Sequence, residues 1–366
     1  GLGVSAMASP LGRLSRLSGT IGFDGDRSRT SGEVRLRSGA VSSPEISAGS
    51  AAISGRYATG ETITFQGETS IQSAALPSPL LARVAGYGDT AQGTPAAPLI
   101  RQLALALRQA GRGFGGSAAV ELAMRGDRSA LRVRRLDLAA RSGAQLRFDR
   151  GAGIGLDLRN GGIDLAGQLA LGGGGLPEAA VQLTRRSGSD ELHGTGIVRP
   201  YRAGGASLEL STLAFRLRGQ TGEVRTAMTL SGPLGDGRVD GLSMPLLLRW
   251  NARMIDVNPG CATIGFARIA AAGAVLDGDR LELCPVGPAM ARWTSNGMSG
   301  GIRAVKPDLK GKMGDSPLIL AADAAHVDLA ASRFAIANAA VRLGTDQATR
   351  LDIGQLGGDF RAGLGG

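Results

Sequence analysis

Apolar and polar residues alternate with a period of two through most of this chain, and this alternation limits what the chain can fold into. In the segment ETITFQGETSIQ, Ile63, Phe65 and Ile71 fall on one side of an extended strand, and polar residues such as Gln66 fall on the other. The segments LSGTIGF, GEVRLRSG, AAVELAM and LAFRLRG repeat the pattern. Because successive side chains of a β-strand point to opposite faces, the alternation predicts many strands, each with one apolar and one polar side.

Turn signals separate these segments. The clusters DGD (24–26), RNGG (159–162), GDG (235–237) and DGD (277–279) each predict a tight turn between neighbouring strands. In LRVRRLDL the alternation shifts by one residue at Arg134–Arg135, which predicts a β-bulge. A loose repeat of an apolar residue, any residue and glycine places glycines in mid-strand, as in FQGET and LAGQL, and this indicates a sheet that bends along its length.

One segment, PLIRQLALALRQAGRG, has helical periodicity instead. Thr94 and Pro95 precede it in positions typical of a helix start, and a glycine ends it. At helical spacing one side carries Leu99, Ile100, Leu103, Leu107 and Ala110. The helix could lie on an anionic membrane or cover the open face of the sheet, and the second is favoured because Leu105 interrupts the basic side. The alanine-rich segment 317–343 is predicted to be strand, because large apolar residues alternate within it.

Composition argues against a deep core. The chain has 59 glycines, and aromatic residues make up only 4% of its 366 residues, although 43% of the residues are hydrophobic. Glycine supplies no packing surface and costs backbone entropy. The predicted fold class is therefore mainly β: a long, curved antiparallel β-sheet that forms an elongated groove, with one short amphipathic helix.

The net charge of +10 is carried almost entirely by arginine. Nucleic-acid binding is not expected, because the arginines are scattered and few aromatic residues accompany them. An anionic membrane surface and a genomic bias toward arginine codons remain as explanations. No run of 18 apolar residues predicts a spanning helix, and GLGVSAMASP does not resemble a signal peptide. We expect a segment of a longer protein whose anchor and targeting signal lie outside it.

Chemically active motifs are sparse. His193 and His326 each lie in a strand-like segment with no metal ligand at a suitable spacing. GMSGG (297–301) matches a nucleophile elbow without the helix that should follow, and GRGFGG (111–116) matches a phosphate loop without the strand that should precede it. The prediction is a protein that is not an enzyme, with no catalytic residue, cofactor or metal.

The chain has two cysteines, in PGCATIGF and LELCP. The intervening segment is predicted to form a β-hairpin with DGD as its turn, which would bring Cys261 and Cys284 side by side. A disulfide between them would close the hairpin and imply an oxidising compartment. Two unrelated buried cysteines remain the alternative.

Three segments carry a resemblance: GGGGLPEAAVQL (172–183), GPLGDGRVDGLSMPLLLRW (232–250) and PGCATIGF followed by LELCPVG (259–287). Together they resemble the YdbH family of AsmA-like envelope proteins, relatives of TamB-like proteins. The resemblance is strongest from about residue 95 onward. It implies three parts: an AsmA-like β-groove segment (1–90), the amphipathic helix and turn (91–115), and a YdbH-type β-groove region with the cysteine hairpin (116–366).

The resemblance also implies a function. Such proteins are anchored in the inner membrane, extend through the periplasm, and move phospholipids between the inner and outer membranes along an apolar groove. It implies phospholipids as partners, membrane attachment through regions outside this chain, and a small outer-membrane lipoprotein as a further partner. The residues expected to line the groove are Ile21, Phe23, Ile63, Phe65, Ile71, Val120, Leu122, Leu169, Phe215, Leu217, Phe266, Leu281 and Leu283.

Two other classes remain open. The chain could be a non-transporting scaffold or envelope-assembly protein whose sheet is closed by its own helix and loops. It could instead be a transmembrane β-barrel or a secreted β-repeat domain, although a barrel needs girdles of aromatic residues.

Overall fold

A computed structural model describes residues 2–9, 12–26, 28–44, 46–77, 81–82, 94–295, 297–345 and 349–359. These residues contain thirty β-strands and the helix α1 (Ala97–Gly111). All the strand pairings described below are antiparallel, so the predicted mainly-β class with a long antiparallel sheet and a short amphipathic helix is confirmed. The chain divides into two units, Gly1–Tyr87 with Gln102–Gly196 (unit 1) and Gly88–Arg101 with Ile197–Gly366 (unit 2). The three-part division expected from the sequence stays a prediction.

Unit 1 is a meander of long strands. The order of neighbours is β1-β2-β4-β7-β8-β9-β10-β11-β12-β13, with β3, β5 and β6 as short pieces along the first strands. The strands are β1 (Leu2–Ser9), β2 (Gly12–Ile21), β3 (Asp24–Gly25), β4 (Thr30–Ser38), β5 (Val41–Ser42), β6 (Ser47–Ala48), β7 (Ser50–Thr59), β8 (Ile63–Ala74), β9 (Phe114–Arg125), β10 (Arg128–Ala140), β11 (Gln145–Asp157), β12 (Ile163–Gly173), β13 (Leu176–Arg185) and β14 (Glu191–Val198), the last of which runs across the boundary between the units.

Unit 2 is also a meander, but many of its strands are short. Its strands are β15 (Tyr201–Ala203), β16 (Ala206–Leu210), β17 (Leu213–Arg218), β18 (Thr221–Leu234), β19 (Gly237–Trp250), β20 (Met254–Val257), β21 (Ala262–Ala271), β22 (Ala274–Pro285), β23 (Ala291–Thr294), β24 (Gly297–Ser299), β25 (Gly301–Val305), β26 (Asp308–Met313), β27 (Ser316–Ala321), β28 (Ala324–Asp328), β29 (Arg333–Leu343) and β30 (Thr349–Asp359). Two strands often share one side of a longer neighbour: β20 and β21 both pair with β19, and β25 and β26 both pair with β22. The predicted strand character of segment 317–343 is confirmed by β27, β28 and β29.

Irregularities bend several strands. The predicted bulge in β10 is confirmed, because its pairing with β9 shifts between Val133 and Arg135. The pairing of β11 with β12 shifts between Asp149 and Gly153, and that of β18 with β19 shifts near Leu230. Bulges bend a strand and increase its twist, so these shifts curve the sheet locally.

The predicted turns have different outcomes. Those at 159–162 and 235–237 are confirmed, since they join β11 to β12 and β18 to β19. At 24–26, the first two residues form the short strand β3, and the Oδ1 of Asp26 accepts the N–H of Ser28 in the turn that follows (2.7 Å). The turn predicted at 277–279 is wrong, because these residues lie inside β22. The chain reverses at Ala272 and Gly273, whose φ angles of 50° and 77° suit a two-residue hairpin loop.

Mid-strand glycines make room for aromatic rings. The rings of Phe65 and Phe148 occupy the space that a Cβ would fill at Gly67 and Gly167. The ring of Trp250 lies in the same way over Gly222 on the neighbouring strand. A side chain at these glycines would collide with the ring, so the rings lie low on the surface of the sheet.

Helix α1 crosses the boundary between the two units in the sequence, and each of its parts packs within its own unit. Leu99, near its start, contacts Ala206 and Leu230 of unit 2. Ala106, nearer its end, contacts Ala144 and Leu176 of unit 1. Leu107, which the helical spacing groups with the apolar side, is 38% exposed. The core is small: among the described residues, 20 hydrophobic side chains are buried, and 11 of these are alanines.

Candidate functional site

The strongest candidate site in unit 1 is one face of its sheet. Cross-strand register places a single row of residues on this face over nine strands, from β2 to β13. The row consists of Gly19, Leu36, Ile53, Thr69, Ala118, Leu136, Phe148, Leu169 and Val181. Thr69 is its one polar member. Because residues paired in register share a face, this row defines a continuous apolar strip, which we call the apolar face of unit 1.

Further rows widen this face. The pairs Phe65–Leu122 and Ile63–Met124 lie toward one end of the strands, and Leu138 pairs with Leu146 toward the other. The bulge in β10 keeps Val133 and Leu136 on the same face, because it accommodates the extra arginine that interrupts the alternation between them. The apolar face is therefore several residues wide along the strands as well as nine strands across.

Most large side chains on this face keep contact with solvent. Ile21, Ile63 and Met124 are 41%, 44% and 38% exposed, and most of their apolar neighbours are half-buried. Phe148, Val120 and Leu176 are the large side chains on this face that are buried, at 3%, 9% and 8% exposure, and Leu176 contacts Ala106 of α1. In the described residues, α1 covers the end of the face near Ala140 and Leu171, and most large side chains farther from the helix are half-buried or exposed.

The opposite face of unit 1 is charged. One row on it runs through Arg56, Gln66, Glu121, Arg132, Gly155 and Asp164. Its charges pair across strands: Arg134 Nε lies 2.9 Å from a carboxylate oxygen of Glu121, and Arg147 Nε lies 2.8 Å from one of Asp137. The hydrogen bond to Asp137 raises the pKa of Arg147. Cross-strand ion pairs of this kind suit a face that stays in water.

Unit 2 has an apolar face of its own. One row crosses six strands and contains Ala262, Leu283, Ala304, Ala325, Ile336 and Leu356. A second row contains Phe215, Val224, Leu248 and Val257. Phe266 is buried at 8% exposure, whereas Leu356 on the edge strand β30 is 41% exposed. Its polar side carries ion pairs as well: Glu223 accepts hydrogen bonds from Arg249 and Arg225, which lower the pKa of its carboxyl.

The residues predicted to line a groove fall on these faces with one exception. Register and alternation place Ile21, Ile63, Phe65, Ile71, Val120, Leu122 and Leu169 on the apolar face of unit 1, and Phe215, Leu217, Phe266, Leu281 and Leu283 on that of unit 2. Phe23 lies in the link between β2 and β3, where no pairing assigns it to a face, and it is 79% exposed.

Sequence reasoning missed several members of the faces. Leu136 and Phe148 lie at the centre of the row in unit 1, and Ile336 and Leu356 continue the row in unit 2. The alternation in LRVRRLDL and QLRFD carries the signal for the first two. Leu356 lies in a glycine-rich segment whose alternation is weak, and its place follows only from its pairing with Ile336.

The two cysteines form a disulfide on the polar side of the hairpin β21–β22. Their Cα atoms are 4.0 Å apart, at the position next to the pair Ala262–Leu283. With Glu282 they form the one group of three potential metal ligands in the described part of the chain. Metals bind thiolate, and both sulfurs are joined in the disulfide, so a single carboxylate remains as a ligand.

The histidines lie apart from this group. The Nε2 of His193 is 3.5 Å from a carboxylate oxygen of Glu191 on the exposed surface. His326 pairs in register with Arg303, which in turn pairs with Cys284. Neither histidine belongs to a group of metal ligands among the described residues.

No family model, no curated protein and no solved structure matches the chain. In the described residues, no helix has both the length and the apolar character needed to cross a bilayer.

Proposed function

We propose that this chain binds phospholipids on its apolar faces and carries them through the cell envelope. Acyl chains lie against the Leu, Ile, Val and Phe side chains, and headgroups stay at the margins, where arginines can pair with phosphate. The observation that carries the proposal is the half-exposed apolar row over nine strands of unit 1, backed by a charged, ion-paired face. Soluble monomers rarely expose contiguous apolar patches of this kind without using them.

The dimensions suit lipid. Nine strands at about 4.8 Å spacing give a strip about 38 Å long when measured along the sheet. One acyl chain occupies about half of the ~30 Å hydrocarbon core of a bilayer, so the strip can hold more than one lipid. Each buried methylene contributes about 0.8 kcal/mol, so ten of them stabilise a bound chain by about 8 kcal/mol. No bond is made or broken, and no catalytic group or cofactor is needed.

The resemblance to YdbH-type AsmA-like proteins supports placing this activity in the periplasm, between inner and outer membranes. The disulfide supports the same compartment, because such bonds persist where the environment is oxidising. Alkylation of free thiols in intact cells, followed by gel analysis with and without reductant, tests this placement. A chain whose cysteines are alkylated before reduction contradicts it.

Lipid extraction tests the proposal directly. The full chain is purified from cells, extracted, and its phospholipid is quantified by mass spectrometry against an unrelated β-rich protein prepared in parallel. Phe65→Asp puts a charge on the apolar face, and Gln66→Asp puts the same charge on the opposite face one residue away. We expect phospholipid with the unchanged chain and with Gln66→Asp, and much less with Phe65→Asp.

Two results contradict the proposal. One is phospholipid no greater than in the unrelated protein. The other is a dimer in which the apolar faces of two copies cover each other, which is the outcome expected of a closed scaffold.

A further inference from the structure

Both tryptophans of the chain lie in one row of cross-strand neighbours in unit 2. The row crosses six strands and consists of Leu217, Gly222, Trp250, Ile255, Trp293 and Met298. We call it the tryptophan row. Since tryptophan occurs twice in 366 residues, its concentration in a single row is a specific feature.

The tryptophan row lies at one margin of the apolar face of unit 2; its part from Ile255 onward is exposed, whereas Leu217 and Trp250 are half-buried. Ile255, Trp293 and Met298 are 47%, 42% and 45% exposed. Trp250 ends β19 and Leu217 is the second-last residue of β17, so the row follows the line where these strands turn. One step along the strands, the adjacent row contains Phe215 and Leu248, so the tryptophan row continues the apolar face up to its edge.

Two arginines lie beside one end of the row. Arg218 ends β17, and Arg253 lies in the turn between β19 and β20; both are exposed, and neither guanidinium has an ion-pair partner among the described residues. Two strands of the row carry a carboxylate nearby, Glu223 on β18 and Asp256 on β20, and each forms an ion pair with an arginine. This margin of the apolar face therefore carries two unpaired arginines, while the carboxylates of β18 and β20 are paired.

We propose that the tryptophan row docks on the surface of an anionic phospholipid bilayer. Tryptophan favours the boundary between headgroups and acyl chains, because its ring is apolar and its N–H is polar. Flanking arginines add attraction to anionic headgroups. The inference rests on the proposed function, since docking here would put the bilayer next to the apolar face that carries lipid.

The two tryptophans supply the probe for a test. The purified full chain is mixed with vesicles of phosphatidylcholine alone, or of phosphatidylcholine with an equal part of phosphatidylglycerol, and tryptophan emission and co-sedimentation are recorded. We expect a blue shift and co-sedimentation with the anionic vesicles, both weakened by salt. Phospholipids brominated on their acyl chains should quench the emission, because the rings lie at the acyl boundary.

Variants show whether the row itself binds. Trp293→Ala should weaken vesicle affinity about tenfold, and Arg253→Ala about fivefold with a smaller salt dependence. Leu351→Ala, which removes a 55% exposed leucine from β30, should leave affinity unchanged. The proposal is overturned if anionic vesicles neither shift the emission nor pull down the chain, or if Trp293→Ala behaves like Leu351→Ala.

Other outcomes separate this inference from the proposed function. If phospholipid is extracted with the chain but vesicles do not bind at the row, docking is wrong and lipid carriage stands. If vesicles bind at the row and no lipid is extracted, docking stands and lipid carriage fails. A photo-crosslinker at position 293 that captures protein instead of lipid assigns the row to a protein partner and overturns bilayer docking.

Discussion

The two units have similar apolar faces, but their strands are paired differently. In unit 1, strands β8 to β12 are 11 to 13 residues long, and each pairs with one strand on either side over most of its length. In unit 2, β19 is bordered on one side by β20 and then by β21, and the ladder is interrupted between them. In unit 1, continuous backbone hydrogen bonds between long strands stabilise the sheet. In unit 2, the backbone groups of β19 that lie between β20 and β21 need other hydrogen-bond partners.

Side chains bridge this interruption. Asn258 directly follows β20 and is 4% exposed. Its side chain bonds to backbone groups of β19 that a neighbouring strand would otherwise pair with. Its Oδ1 accepts the N–H of Leu247 (2.7 Å), and its Nδ2 donates to the carbonyl of Pro245 (3.0 Å). Three residues later Cys261 is linked to Cys284. At this interruption unit 2 depends on a few specific side chains, whereas the long ladder of unit 1 depends on regular pairing and carries the buried ring of Phe148.

The largest effect is expected from that ring in unit 1. Phe148→Ala removes a side chain that is 3% exposed, and it should lower the free energy of unfolding by about 3–4 kcal/mol. Chemical denaturation, with amide hydrogen exchange to locate the change, measures it. Phe23→Ala, at a position 79% exposed, should change stability by less than about 0.5 kcal/mol. Equal losses for the two variants contradict this description of unit 1.

Loss of the disulfide should affect unit 2 alone. The double variant Cys261→Ser, Cys284→Ser should cost about 3 kcal/mol, since the cross-link no longer restricts the unfolded chain. Hydrogen exchange should speed up in β21 and β22 and remain unchanged in β8 to β12. Faster exchange spread evenly over both units argues against the division between them.

Asn258→Ala should cost about 2 kcal/mol, because it leaves the N–H of Leu247 and the carbonyl of Pro245 without their partner. The control is Asn160→Ala, whose Oδ1 accepts one hydrogen bond from Gly162 in an exposed turn. The control should cost less than about 1 kcal/mol. Denaturation monitored by tryptophan emission reports unit 2, which contains both tryptophans. If the control costs as much as Asn258→Ala, the bridging role of Asn258 is wrong.

The smallest effect is expected at Glu223. Its hydrogen bond from Arg249 lowers the pKa of the carboxyl below its usual value of 4.5, so the ionised form stabilises the folded state. That stability is present above the unfolded pKa and is lost as pH falls through the folded one. Glu223→Gln should cost less than about 1 kcal/mol at pH 7, because surface ion pairs contribute little, and the cost should be smaller at about pH 3, where protonation of the carboxyl weakens the pair. A cost that is the same at both pH values contradicts the assignment.

Local patterns predicted much of the fold. Period-two alternation identified strands in both units, and its shift at Arg134–Arg135 located the bulge of β10. The turn at 277–279 failed because Asp-Gly-Asp has strong turn propensity but lies in mid-strand, while Ala272 and Gly273 take the positive φ angles of the actual hairpin loop. A local preference for a turn was overridden there by the pairing of β21 with β22.

The pairing of distant strands could not be predicted in the same way. Trp250, Ile255, Trp293 and Met298 are separated along the chain by up to 48 positions, and they meet only through the register of β19, β20, β23 and β24. Likewise, alternation does not reveal that β20 and β21 share one side of β19, because each is a plausible strand by itself. Register depends on the whole sheet, which no local pattern contains.

We propose that one face of each unit holds lipid and the other faces water. Photo-crosslinking at two pairs of adjacent positions tests it most directly: Phe65 and Gln66 in unit 1, and Leu281 and Glu282 in unit 2. With radiolabelled phospholipid in cells, we expect lipid adducts at 65 and 281 and none above background at 66 and 282. Equal labelling within each pair, or no labelling at 65 and 281, would contradict it.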